Sequence, residues 1–201
     1  PRGNPSNKFS VRWTGMVEAP AEGAYTFSAC PIHVNVSGDG VLMRQTMGVW
    51  IGDQQVLDTT QGDWTYRGTP VTLAAGTKTP IRVEFSYASI GERAGAEAAI
   101  AILYWEGPGL ARQIVPSTAL TTASGADGLD AQYQLTVAGQ QQAAQQIEPK
   151  IDQFWLVDQP VVPADGQLRR RLAARLVALA TEPGYLESCV NGQREFVIEE
   201  V

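Results

Sequence analysis

Hydrophobic and polar side chains alternate in three short segments of the chain. In the first segment, Phe9, Val11 and Trp13 alternate with polar residues, and this period of two indicates a strand with one buried face. The alternation returns around Tyr25 and again at alternate positions of Ile100–Tyr104. Glycine-containing turns flank the segments, as expected for short strands joined by tight connections. The pattern predicts a mainly β fold for this part of the chain.

The period of the apolar residues changes after Asp165. Leucines recur at positions 168, 172, 176 and 179, which is helical spacing, and Asp165 can cap the helix that Pro183–Gly184 stops. We therefore predict an amphipathic helix near 166–180, within a C-terminal α+β extension. Its arginines could face a membrane or an acidic partner, but a solvated face over a leucine core is the favoured interpretation. The glutamine-rich run at 139–146 is short low-complexity sequence, a loop or a poor helix.

The three alternating segments resemble, in their order and in their sequences, the protective-antigen-type or PA-fourteen family. They are Phe9–Gly15, Glu22–Phe27 and Ile102–Gly109. Four further stretches extend the resemblance over residues 9 to about 120: Gly48–Asp58, Val71–Gly76, Pro80–Phe85 and Ile114–Ser117. The resemblance implies a secreted or surface-exposed, lectin-like antiparallel β-sandwich. Domains of this family often bind carbohydrate and sometimes only hold neighbouring domains.

The resemblance also suggests how the chain is divided. We assign 1–120 to the sandwich, 121–127 to a linker and 128–201 to a second unit. The opening strand that is usual in the family is missing before Phe9, and a similar sequence stands at Gly128–Tyr133, followed by the family-like Glu148–Trp155. A second, partial repeat that begins at Gly128 is the preferred interpretation. Alternatively, this segment supplies the missing strands of the first domain.

Composition and charge exclude several kinds of partner. The chain has 201 residues and a net charge of −6, whereas nucleic-acid surfaces need clustered Lys and Arg. It also lacks an apolar run of the roughly 20 residues that cross a bilayer, so a membrane partner is not expected. Together with the resemblance, these features predict an extracellular or cell-surface protein whose partner is a glycan, a surface polymer or a neighbouring domain.

Residues that could carry catalysis are scarce. His33 is the single histidine, and without a second histidine or a nearby nucleophile it cannot form a conventional triad or a histidine-rich metal site. Glu84 and Glu106 belong to predicted strands, but their spacing does not show two carboxylates meeting across a cleft. We therefore predict a non-catalytic protein without a cofactor.

Calcium is the next candidate, because sugar-binding members of the family carry two adjacent Asp residues on one loop. This chain has only Asp39, between Gly38 and Gly40, and one carboxylate cannot supply the six to eight oxygens that calcium prefers. Asp39 is therefore predicted to form a turn, with calcium binding no tighter than about the millimolar range. Any ligand site is expected in the loops that carry Asp39, Asp53, Trp64 and Arg67, since aromatic faces and planar polar groups suit sugar rings.

The two cysteines, Cys30 and Cys189, lie in different predicted units. In an exported protein they could form a disulfide that fixes the C-terminal extension to the sandwich, or they could be two separate buried thiols. The leading hypothesis for the whole chain is a non-catalytic extracellular module that binds carbohydrate or a surface polymer. The alternative is a structural spacer or assembly domain of a repetitive cell-surface protein.

Overall fold

Two antiparallel sheets pack around one hydrophobic core in the computed structural model, which describes residues 8–29, 42–61, 66–90, 98–137 and 140–156. The mainly β sandwich predicted from the sequence is confirmed. The strands are β1 Lys8–Glu18, β2 Gly23–Ala29, β3 Leu42–Ile51, β4 Gln54–Asp58, β5 Val71–Leu73, β6 Lys78–Ile90, β7 Ala98–Gly107, β8 Leu110–Ile114, β9 Leu120–Thr121, β10 Leu129–Val137, β11 Gln140–Glu148 and β12 Asp152–Leu156.

The first sheet has the order β11-β10-β1-β6-β3-β4, with β9 also paired to β1. The second has the order β12-β7-β2-β5, with β8 also paired to β7. Short 3-10 turns at Thr59–Gln61 and Ser117–Ala119 connect strands. Strand β1 therefore lies in the interior of the first sheet and β7 in the interior of the second, which explains why both are rich in apolar residues.

The alternation of β1 determines which of its residues enter the core. Val11 and Trp13 are buried, whereas Arg12 between them is exposed. Strand β7 differs from the expected alternation, because every residue from Ala99 to Trp105 is buried. The run Ala98–Trp105 contains no polar residue, and a continuous apolar run is typical of a strand that is covered on both faces.

The segment after residue 127 joins the same two sheets. Strand β10 pairs with β1, with Ala131 opposite Trp13, and β12 pairs with β7, with Phe154 opposite Ile100. These pairings agree with the interpretation that the segment supplies strands to the first sandwich, and the preferred second repeat does not fit them. The physical reason is that β10 satisfies the backbone groups along one side of β1, which would otherwise be an open edge.

The structure also describes two segments that the sequence left without regular structure. The predicted linker, 121–127, contains a hydrogen-bonded turn, in which the N–H of Thr122 donates to the carbonyl of Ala126 at 2.7 Å. Most of the glutamine-rich run lies in β11 and pairs with β10 in regular register, so tertiary pairing decides a conformation that composition leaves open. The predicted helix near 166–180 lies outside the described residues.

A buried carboxyl group connects the two sheets. Glu148, the last residue of β11, is only 4% exposed and accepts hydrogen bonds from four side chains. The indole N–H of Trp13 donates at 2.7 Å, the amides of Gln146 and Gln153 donate at 2.8 and 3.0 Å, and the hydroxyl of Tyr133 also donates. Since these donors lie on β1, β11, β10 and the β12 strand of the second sheet, Glu148 fixes the C-terminal strands to the N-terminal one.

We expect Glu148→Gln to lower the free energy of unfolding by about 1–3 kcal/mol, because its amide N–H₂ would replace an acceptor and leave a buried donor unpaired. Urea unfolding monitored by tryptophan fluorescence measures the change. The matched control is Glu106→Gln, which removes a partly exposed ion pair with Arg67 and should cost at most about 1 kcal/mol. Equal effects of the two substitutions would contradict the role of Glu148.

Candidate functional site

Two of the four loop residues that the sequence suggested as a ligand site, Asp53 and Arg67, lie in the described part of the chain. Asp39 and Trp64 lie outside the described residues, as do Cys30, His33 and Cys189. Asp53 is exposed at the turn between β3 and β4, where Gly52 has a φ of 58°.

Arg67 lies elsewhere, beside β2, and donates a hydrogen bond to the carboxylate of Glu106. Within the described part of the chain no hydrogen bond or ion pair joins Arg67 to Asp53. Their shared role in binding therefore stays a prediction.

A different polar surface is open on the outer face of the first sheet. Alternation turns the even-numbered residues of β1, β6 and β3 away from the core, so polar side chains of several strands meet there. They line a groove of about 290 Å³ that runs from β4 across to β10. Its lining includes Trp50, Arg12, Glu84, Ser86 and Gln132. Because it is open to solvent and lined by both polar and apolar groups, this groove is the candidate site.

Trp50 gives the groove its aromatic surface. It lies opposite Arg82 in the pairing of β3 with β6, and the guanidinium carbon of Arg82 lies 4.0 Å from the centre of the indole ring. Gly48 makes room for this arrangement, because a Cβ atom there would lie 2.5 Å from Cη2 of Trp50. The indole therefore leans over a backbone position that must stay without a side chain.

Charged side chains next to Trp50 form one linked group. A single carboxylate oxygen of Glu84, Oε1, accepts hydrogen bonds from Nε of Arg12 and from Nη1 of Arg82, both at 3.0 Å. Ion pairs this exposed contribute at most about 1 kcal/mol to stability. Their main effect is positional, since they hold two guanidinium groups at fixed places beside Glu84.

Further polar groups complete the groove. The hydroxyls of Thr46 and Ser86 share a hydrogen bond of 2.6 Å, and Gln132 and Gln134 of β10 form the far side. Asp58 accepts bonds from the backbone N–H and the hydroxyl of Thr60, at 2.8 and 2.6 Å. Hydroxyls and amides can each donate and accept hydrogen bonds, so the groove suits a ligand that carries many hydroxyl groups.

Sequence reasoning missed this site because its residues are far apart in the chain. Arg12 and Glu84 are separated by 72 positions, and only the strand register brings them together. The one local signal is the Gly48–Trp50 spacing, which places a large ring beside a residue without a side chain on the same strand face.

Over the described ranges, no group of three or more His, Cys, Asp or Glu side chains is placed to hold a metal ion. No helix in that part of the chain has the length and apolar character to span a membrane.

The chain is similar in sequence to known proteins. The chain is 27% identical over 192 residues to the anti-sigma-I factor RsgI3 of Acetivibrio thermocellus, which covers 92% of this chain and 27% of that protein. It thus spans about a quarter of the length of this curated relative. A solved structure of an anti-sigma factor domain-containing protein from Clostridium clariflavum has a TM-score of 0.38 and 25% identity, and covers 56% of this chain and 33% of that one.

The family follows from a match over the N-terminal part. The family model of the PA14 domain matches residues 1–119, which is more than half of the chain. The matched region contains β1 to β8, and with them every strand of the groove except β10. The chain therefore belongs to the PA14 domain family.

Proposed function

We propose that this protein is a non-catalytic extracellular module that binds carbohydrate through the groove on the outer face of its first sheet. PA14 domains are carbohydrate-binding or structural modules. The observation that carries the proposal is the groove itself, in which an indole ring stands beside charged and hydroxyl-bearing side chains. Binding sites for small ligands typically combine an apolar or aromatic wall with a few fixed polar groups.

The chemistry of a sugar fits this combination. Its ring carbons present an apolar C–H face that can pack against Trp50, and its hydroxyls both donate and accept hydrogen bonds. The guanidinium of Arg82 and the carboxylate of Glu84 offer a fixed donor and a fixed acceptor next to that ring. The hydroxyls of a sugar that packs on Trp50 would therefore find a hydrogen-bond donor in Arg82 and an acceptor in Glu84.

The two relatives described above are named as anti-sigma factors or as containing such a domain. The chain covers only part of each. In our proposal the PA14 domain is the part of a larger protein that recognises a ligand outside the cell. No step of catalysis and no cofactor is assigned to it.

A structural spacer is the second candidate function. It is favoured by the network around Glu148, which fixes the C-terminal strands to β1 and to the second sheet. Such internal bonding suits a rigid unit that holds neighbouring domains apart. The two candidates differ in one measurable property, because a spacer requires no affinity for sugars.

We expect Trp50→Ala to weaken carbohydrate binding at least about tenfold, which corresponds to about 1.4 kcal/mol of binding free energy. Affinity electrophoresis and calorimetry against a panel of soluble polysaccharides would measure the change, in calcium and in chelator. The matched control is Arg67→Ala, an exposed residue of the other predicted site.

The outcome separates the candidate functions. Loss of binding in Trp50→Ala alone supports the groove, and loss in Arg67→Ala alone supports the loops. Binding that disappears in chelator would instead support a calcium site. If no polysaccharide binds under either condition, the carbohydrate proposal is wrong and the spacer is favoured.

A further inference from the structure

The groove continues across the first sheet as a polar strip that ends at the edge strand β11. Residues directly opposite each other in neighbouring strands share one face of a sheet. The strand register gives one such row on the outer face, which crosses five strands: Gly48, Glu84, Arg12, Gln132 and Gln145. The next row is Thr46, Ser86, Ser10, Gln134 and Ala143. These two rows are called the polar strip.

We infer that the ligand is a linear, uncharged polysaccharide chain that lies along the polar strip, across the strands, from Trp50 to β11. This inference rests on the proposed function and adds to it the class of polymer and the direction in which it lies. Neighbouring strands are about 4.8 Å apart, so the five strands make the strip about 19 Å long. A surface of that length can contact several consecutive sugar units, whereas a terminal sugar would use only the Trp50 end.

The side chains of the strip fit a neutral chain. Gln132, Gln134 and Gln145 are exposed, and each amide offers both a donor and an acceptor. The two arginines near Trp50 already donate to Glu84, and Asp58 and Asp130 add negative charge to the same face. A polyanionic polymer would therefore meet carboxylates rather than an excess of cations, which disfavours it electrostatically.

A third row lies next to the polar strip and has a large apolar side chain at each end. The register places Trp50, Arg82, Thr14, Asp130 and Ile147 opposite one another across the sheet. Ile147 is 52% exposed and is a large apolar side chain on this otherwise polar face. Trp50 at one end and Ile147 at the other give the C–H faces of sugar units at both ends something to pack against.

The same features argue against other polymers. Protein interfaces are centred on clustered aromatic and aliphatic side chains, whereas the middle of this strip consists of Ser, Thr, Gln and linked charges. Nucleic acids require clustered Lys and Arg to neutralise phosphates, and both Arg12 and Arg82 are paired with Glu84. A neutral polymer of hydroxyl-bearing units is the class that the side chains match.

The experiment measures how affinity depends on the length of the oligosaccharide and on one residue far from Trp50. The probes are soluble β-1,4-glucan, xylan and mannan, with polygalacturonate as the charged comparison, followed by purified oligosaccharides of increasing length from the best neutral polymer. The affinity should rise with length until the strip is filled. Gln145→Ala should weaken binding of the long oligosaccharides about three- to tenfold, the value of one hydrogen bond, and leave the disaccharide unchanged.

The control is Gln113→Ala, which removes an exposed glutamine of the second sheet and should leave binding of every length unchanged. Trp50→Ala should weaken all lengths. The inference is wrong if affinity is independent of length, if Gln145→Ala has no effect on long chains, or if polygalacturonate is preferred. If Trp50→Ala binds like the unaltered protein or nothing binds, the proposed function itself fails.

Discussion

A chain that ends at residue 127 should fail to fold. It would lose β10, β11 and β12, and with them the buried side chains of Leu129, Tyr133 and Ile151. Fully burying an aliphatic side chain contributes about 1.5–3 kcal/mol, and whole domains are stable by only about 5–15 kcal/mol. The truncation would also leave the indole N–H of Trp13 without Glu148 and one side of β1 without its partner strand.

Near-UV circular dichroism and the dispersion of amide NMR signals would measure this loss. Adding the fragment of residues 128–201 should restore the near-UV signal, because β10 can then pair with β1 in the register of the intact chain. A truncated chain with a cooperative thermal transition near that of the full chain would show that residues 1–127 form a complete domain, as the sequence-based boundary implied.

Local sequence patterns predict which side chains are buried. Val11 and Trp13 of β1 alternate with polar residues, and both are buried. This works because the period of a strand depends only on neighbouring residues in the chain. The same rule is insufficient for β2, where Thr26 and Ser28 are also buried, and for β7, since a strand covered on both faces carries no alternation that could reveal it.

The order and register of the strands cannot be obtained from the same patterns. The indole of Trp13 and the carboxyl of Glu148 are 135 positions apart, and nothing in either segment indicates the other. The groove at Trp50 has the same origin, because its residues come from strands that are distant in the chain. Contacts of this kind depend on pairing across the whole fold, and a resemblance to a family supplies them only where its motifs cover the strands involved.

The glutamine-rich run is a second case in which the local sequence does not predict the structure. Its composition indicates a loop or a poor helix, yet β11 pairs with β10 through nine consecutive residues. The strand is held at its end by Glu148, which four side chains from several strands contact. Tertiary contacts at one anchored residue can thus override weak local preferences.

Trp13→Ala should lower the free energy of unfolding by about 3–5 kcal/mol, the usual cost of removing a large aromatic side chain from a core. Trp13 is fully buried, so the substitution leaves a cavity, and it also removes the donor to Glu148 at 2.7 Å. Urea unfolding followed by far-UV circular dichroism measures the change. An unchanged midpoint would contradict the position of Trp13 in the core.

Two further variants separate the causes of that destabilisation. Trp50→Ala, which truncates a partly exposed tryptophan of the groove, should cost less than about 1 kcal/mol, since it chiefly removes the cation–π interaction with Arg82. Trp13→Phe keeps much of the apolar volume but lacks the N–H, so a cost of about 1–3 kcal/mol would measure the loss of this one hydrogen bond to the Glu148 carboxylate. If Trp13→Phe were as stable as the unaltered protein, the hydrogen bond to Glu148 would contribute nothing and the cavity alone would explain the effect of alanine.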